Sequence, residues 1–376
     1  MIPEFWRLPG PARFIERIRT DLLDCRNAIT LASPHLPDDM LTEVQRGVEG
    51  GNAGYKWCRL YNPPDLKANP ASWIARHFGV ELPATATAYN FHGVEEAGGT
   101  VIVMADFPED LPLLSKWAAF AEQYAQVCRA LGDSTSPRFL YHWPTSGHLP
   151  KTDIRLTLHR WDDTIDSTDI HLYASLLMRR SGQSPFKRML MGMIASRLSA
   201  GDPDLCQILC SLDLQEMLDP LPHLIHYAAG KGWDGNTQAT LENGTVVLLD
   251  GMEKNHPAWL AVQGREQDIA MLVWGAQISC IMPLIEERRQ ELVDVVRHIL
   301  KIPDHLPPDQ TPDSIEEIEI GVIHYQIRHS ETRVPQAVLN LSRTLWNVRN
   351  DLAHRKPLSG GRLSDETIRI LTRGLV

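Results

Sequence analysis

Three residues near the end of this 376-residue chain are of types that can move a proton and hold an anion: Arg349, Asn350 and His354. Reaction at a phosphate without a metal would need one group to take a proton and another to stabilise charge on phosphorus. A histidine titrates near neutrality and can accept that proton or protonate the leaving group. An arginine stays cationic and matches phosphate oxygens with its planar fork. An asparagine beside them can orient the imidazole or the phosphate. The same three residues also have a purely architectural reading, in which Asn350 and His354 bridge helices and Arg349 pairs with a carboxylate.

The element that must position them is a helix. Val338, Leu341, Leu345, Val348 and Leu352 recur at spacings of three and four, one apolar stripe at helical period. Asn350 and His354 are four apart and share a face, whereas Arg349 lies roughly 140° around the helix from His354. One straight helix does not aim both at one atom, so the pair is expected to line a cleft made with a second helix or a second subunit. The run Arg349-Asn350-Asp351-Leu352-Ala353-His354, late in a helical segment, resembles the signature of the HEPN superfamily. That resemblance covers about the last third of the chain. It implies a helical bundle, a homodimer, and metal-independent RNA cleavage by Arg349, Asn350 and His354, with no cofactor and no metal. Arg355 and Lys356 add positive charge where a phosphate would arrive, while Asp351 inside the motif opposes it.

Composition bounds the rest. Hydrophobic residues make up 43% of the chain and charged residues 22%, the profile of an ordinary globular protein with two or three domains. A formal net charge of −10 argues against a dedicated nonspecific nucleic-acid binder. The six cysteines (Cys25, Cys58, Cys128, Cys206, Cys210 and Cys280) form no paired CxxC set and suit a reducing compartment. No basic region followed by an apolar run opens the chain, and no stretch reads as a bilayer span, so the expectation is a cytoplasmic protein with no membrane contact.

Residues 1–150 alternate helix and strand signals, the pattern of a parallel α/β sheet. Strands are expected at Ala28–Ala32, Tyr55–Leu60, Thr100–Asp106 and Arg138–Trp143, and helices at Pro11–Leu23, from Met40, at Ser72–Phe78 and at Leu111–Leu131. Strand, loop, helix and then an apolar strand ending in Asp106 resemble the layout of a P-loop NTPase of the AAA or STAND type. The loop Ser33-Pro34-His35-Leu36-Pro37-Asp38-Asp39 has no glycine and no lysine, two prolines that offer no N–H, and two acids that repel phosphate. The resemblance therefore implies a degenerate domain without nucleotide. Glu49-Gly50-Gly51-Asn52-Ala53-Gly54 reads as a surface loop.

Residues 151–255 read as a mixed α/β middle domain. Asp162, Asp163, Asp166 and Asp169 lack the Gly and Glu of an EF-hand. They are better placed to support a helix start, with Ser167 or Thr168 as its cap. Asp250-Gly251 marks a turn beside a strand at Thr245–Leu249. Residues 256–376 are expected as a helical bundle: a long helix over Arg265–Lys301, a proline-rich linker over Ile302–Asp313, a helix at Ser314–His329, the Arg349–His354 helix, and a last helix capped by Ser364. The fold class is thus α/β plus α.

Two function classes stand side by side. In one, a HEPN-like ribonuclease or toxin effector of bacterial anti-phage defence is regulated by an inactive NTPase-like domain. In the other, both parts are docking surfaces in a multi-component defence or regulatory assembly. A third reading, a nucleotide-dependent regulator working near Asp106, has less to rest on.

Overall fold

Long apolar runs with no polar alternation become central strands, and the sheet follows that rule. The computed structural model describes residues 3–50, 54–61, 68–107, 110–131, 135–144, 148–162, 164–303 and 312–375. Residues 51–53 of the glycine-rich loop, Asp163 and residues 304–311 of the proline-rich linker lie outside them. The chain divides into two units, residues 1–169 with 238–255, and residues 170–237 with 256–376. Residues 238–255 belong to the first unit, and residue 256 opens the last stretch of the second.

The first unit holds a parallel five-stranded sheet of β1 (Asn27–Leu31), β2 (Lys56–Leu60), β3 (Thr100–Met104), β4 (Arg138–Trp143) and β5 (Leu156–His159), in the order β2-β3-β4-β1-β5. β1 and β3 are buried at every residue, as strands covered on both faces must be. The edge strands β2 and β5 are only partly buried. Helices α1 (Pro9–Leu23), α2 (Met40–Glu49), α3 (Pro70–His77), α4 (Ala88–His92) and α5 (Leu111–Leu131) complete the α/β unit. Asn27 knits the start of the sheet: its carboxamide accepts from Phe139 N–H at 2.8 Å and donates to the Arg155 carbonyl at 3.2 Å. β5 begins only at Leu156, because Asp153 and Leu156 close a tight turn on themselves just before it.

The chain leaves the first unit through α6 (Ser167–Met178). Its cap is Asp166, not Ser167 or Thr168: the Asp166 carboxylate accepts from the N–H groups of Thr168 (2.9 Å) and Asp169 (2.8 Å). A carboxylate can satisfy two orphan donors at once, which one hydroxyl does less well. Residues 238–255 return to the first unit as the antiparallel hairpin β6 (Val246–Leu249) and β7 (Met252–Asn255). Asp250 and Gly251 both have positive φ (56° and 71°), which matches the right-handed twist of the strands they join.

The second unit is helical. α7 (Pro185–Ser199), α8 (Pro203–Ser211), α9 (Leu214–Leu218), α10 (Leu221–Gly230) and α11 (Pro257–Val262) precede the 31-residue α12 (Glu266–Val296). α13 (Ile320–Arg328), α14 (Gln336–Ala353) and α15 (Asp365–Arg373) follow. α12 packs against α7, α13, α14 and α15, and α14 lies against both α12 and α13. The expected helix at Ser314–His329 is two pieces, a 3-10 turn at Ile315–Glu317 and α13, with extended backbone at Ile318 and Glu319 between them. Ser364 caps α15, accepting from Thr367 N–H at 3.2 Å. Contrary to the sequence expectation, α12 is long and apolar enough to cross a bilayer by length and composition, with a window of mean hydropathy 1.6. Ile269, Val273, Ala276, Cys280 and Ile281 are buried in the unit, the pattern of a core helix.

Two histidines are expected to make the first unit acid-sensitive. His159 on β5 meets the Asp21 carboxylate at 2.9 Å, and His142 on β4 meets the Thr30 hydroxyl at 3.1 Å. Burial pushes both imidazoles below the ordinary histidine value; at His159 it outweighs the attraction of Asp21. The unfolded chain then binds the extra protons first. Stability is full above the unfolded value of about 6.5 and falls as pH drops through it, by at most about 1.4 kcal/mol per pH unit for each histidine. Urea midpoints are expected to decline from pH 7 to pH 5, and His159→Asn is expected to flatten that decline. Equal slopes for the two proteins would show that His159 does not carry it.

Candidate functional site

The three residues singled out by type lie in the last turn of α14 and just past it. The stripe Val338, Leu341, Leu345, Val348 and Leu352 is buried, which turns the opposite face outward. Arg349 and Asn350 are half-buried and His354 is exposed at the helix C-cap. Arg349 pairs with Glu319, just before α13, at 3.1 Å. The side chains of Asn350 and His354 make no hydrogen bond among the described residues, and none joins Arg349 to His354. Asp351, the acid inside the motif, is engaged by Arg362 at 3.1 Å and so is partly neutralised.

How the helix ends decides where His354 sits. Lys356 N–H bonds the Asp351 carbonyl (2.9 Å) and Arg355 N–H bonds the Leu352 carbonyl (3.1 Å), the paired bonds of a Schellman stop. That stop needs a left-handed residue, and here it is Arg355, with φ of 55°. A side chain in that conformation costs about 1–2 kcal/mol that glycine avoids. Arg355→Gly is therefore expected to stabilise the protein by about 1 kcal/mol, a rise in Tm of about 2–4 °C for a unit of this size. A lower Tm in a thermal melt would mean that the Arg355 side chain contributes more than its backbone costs.

Sequence reasoning missed the groups that hold this end in place. Trp274 Nε1 donates to the Leu352 carbonyl at 2.8 Å. Three residues on, the fully buried Gln277 accepts from Leu358 N–H at 2.7 Å and donates to the Leu358 carbonyl at 2.8 Å. Two neighbouring side chains of α12 thus grip the chain on both sides of His354–Pro357. The signal was a glutamine inside the apolar stripe of α12, in line with Val273 and Cys280.

Open α/β sheets bind ligands at the carboxyl edge of their strands, and the first unit presents such an edge. A cavity of about 730 Å³ opens there, bounded by Leu31, Ser33, Pro34, Leu114, Arg160 and Trp161, with residues 240–242 along one side. The loop Ser33–Asp39 does not suit a polyphosphate. Leu36 N–H and Met40 N–H are spent on the Ser33 and Pro37 carbonyls, and Asp39 takes the Trp6 indole N–H at 3.1 Å. The turn of residues 238–244 lies on this loop. His35 Nε2 donates to the Gly244 carbonyl at 2.9 Å, and a Cβ on Gly244, whose φ is 78°, would sit 2.8 Å from Pro34 Cβ. Asp106 is exposed and left-handed, φ 55°, just past β3, and its charge acts on His142.

No family model matches the chain, and no curated protein does. Among solved structures it aligns with the RuvB Holliday junction branch migration motor of Thermotoga maritima, at 10% identity over 76% of this chain and 74% of that one, with a TM-score of 0.31. A proline-to-glycine mutant of the same motor aligns at 8% identity over 77% and 76%, with a TM-score of 0.30. At those scores the likeness carries no argument about function.

Proposed function

We propose that the second unit is a HEPN-like, metal-independent ribonuclease, an effector in bacterial anti-phage defence, and that the first unit is a nucleotide-free, degenerate NTPase-like domain that regulates it. The observation that carries the reading is the end of α14. A histidine whose side chain makes no hydrogen bond among the described residues stands exposed at the C-cap, one turn from Asn350 and close in sequence to Arg349, Arg355 and Lys356. His354 serves as general base or acid, Arg349 holds the phosphate, and Asn350 orients either. Since Arg349 and His354 diverge around the helix, a second copy of the chain completes the site. The parallel sheet, with a proline-bearing acidic loop after β1, supports the inactive NTPase-like reading.

A second reading, a non-catalytic docking subunit of a defence assembly, is favoured by one observation: Arg349 is already engaged by Glu319. Incubating the purified protein with total RNA and a tRNA pool in EDTA separates the two. Cleavage that persists without metal supports the ribonuclease; intact RNA across a range of protein concentrations moves the assignment to the docking subunit.

A further inference from the structure

The outward face of α14 carries more than the motif. Trp346, Asn350 and His354 are spaced by four and share one line along the helix, about 12 Å from first to last. Trp346 is a large aromatic left 37% exposed. Its inner face stacks on His324 of α13, ring centroids 5.1 Å apart and planes 16° from parallel. His324 is itself fixed. The Ser342 hydroxyl donates to the Leu339 carbonyl at 3.0 Å, so His324 Nδ1 donates to Ser342 Oγ at 3.0 Å. Burial and the nearby guanidinium groups of Arg343 and Arg328 hold this imidazole below its ordinary value and hence neutral. The result is an indole stacked on one side and still partly open to solvent, between the exposed Arg343 one turn earlier and Arg349 one turn later.

We infer that Trp346 is a stacking platform for a base of single-stranded RNA, placing the strand so that a neighbouring phosphate reaches Arg349 and His354. This rests on the ribonuclease reading above and adds a substrate class to it: unpaired RNA, since a base can lie flat on an indole only when it is out of a duplex. Charge supports the choice of occupant. Arg343 and Arg328 are close enough to act on His324 beneath the indole, Arg355 and Lys356 follow His354 in sequence, and the acid inside the motif, Asp351, is held by Arg362. An aromatic flanked by guanidinium groups is how sequence-tolerant single-strand sites are built.

The test uses the full chain carrying His354→Ala, so that RNA is bound without being cut, and fluorescence anisotropy with a labelled unstructured RNA at fixed salt. Trp346→Leu fills the space under solvent without a π face, and Trp346→Phe keeps one; thermal melts confirm that both fold. Leucine is expected to weaken binding roughly tenfold or more, and phenylalanine to retain most of it. In the cleaving protein the same leucine variant is expected to raise KM with little change in kcat, which a merely structural role would not do. Equal affinity for the parent and Trp346→Leu would overturn the platform and leave the ribonuclease reading standing. An RNA-silent parent that also cuts nothing would overturn both.

Discussion

His354→Ala is expected to remove metal-independent RNA cleavage, by a factor of about 10²–10⁴, while leaving Tm unchanged. The two halves of that statement come from different observations. The rate loss is what a positioned general acid or base contributes. The unchanged Tm follows because the imidazole is exposed and bonds to nothing among the described residues, so its loss opens no cavity and strands no partner. Arg349→Ala is expected to cost a similar factor, with a small change in stability, since its exposed pair with Glu319 is worth about 0–1 kcal/mol. Arg349→Lys keeps the charge but not the fork and should recover little. The roughly 140° between Arg349 and His354 adds a sharper consequence. If each site takes its arginine from one subunit and its histidine from the other, mixing the two inactive variants rebuilds one intact site per heterodimer and restores activity. Two dead variants that stay dead when mixed, beside an active parent, would place both residues within a single chain's site.

The elements around these residues could be read from the chain to different depths. β4 and α5 carry apolar patterns with clear ends, and their expected bounds, Arg138–Trp143 and Leu111–Leu131, are the observed ones. The α14 stripe was equally plain, because burial of one face leaves a period in the sequence. Pairing order in the sheet leaves none: nothing local in β1 says that it lies between β4 and β5. The helix expected at Ser314–His329 failed for a local reason. Its apolar pattern runs on through Ile318, but the backbone there is extended so that Ile318 can be buried and its carbonyl can accept from Arg289. At the site, the residue types were legible and the supports were not. That Glu319 would meet Arg349, or that Trp274 and Gln277 would hold the far side, depends on contacts 30 to 81 residues away in sequence, which no window of the chain contains.

Gln277→Leu is expected to destabilise the second unit by about 3 kcal/mol and to cut activity along with it. Leucine fits an apolar helix face and is a better helix former, so propensity and hydrophobicity both favour the change. Against it stands the buried amide. Gln277 is 0% exposed and Leu358 only 1%, and one carboxamide satisfies both backbone groups of Leu358. Removing it leaves a donor and an acceptor buried and unpaired, at about 1–3 kcal/mol each, and this outweighs the gain from a buried methyl pair. Gln277→Glu separates the bond from the volume. It keeps the acceptor for Leu358 N–H, but only a protonated carboxyl can donate to the Leu358 carbonyl. Its folded-state pKa is therefore raised above the unfolded value of about 4.3. Stability from that bond is present below the unfolded value and is lost as pH rises through the folded one. Relative to the parent, the glutamate variant should be close to normal near pH 4 and weakest at neutral pH, while the leucine variant should be equally impaired at both. A leucine variant as stable as the parent would mean that Leu358 finds other partners, and that the loop bearing His354 is held by Trp274 alone.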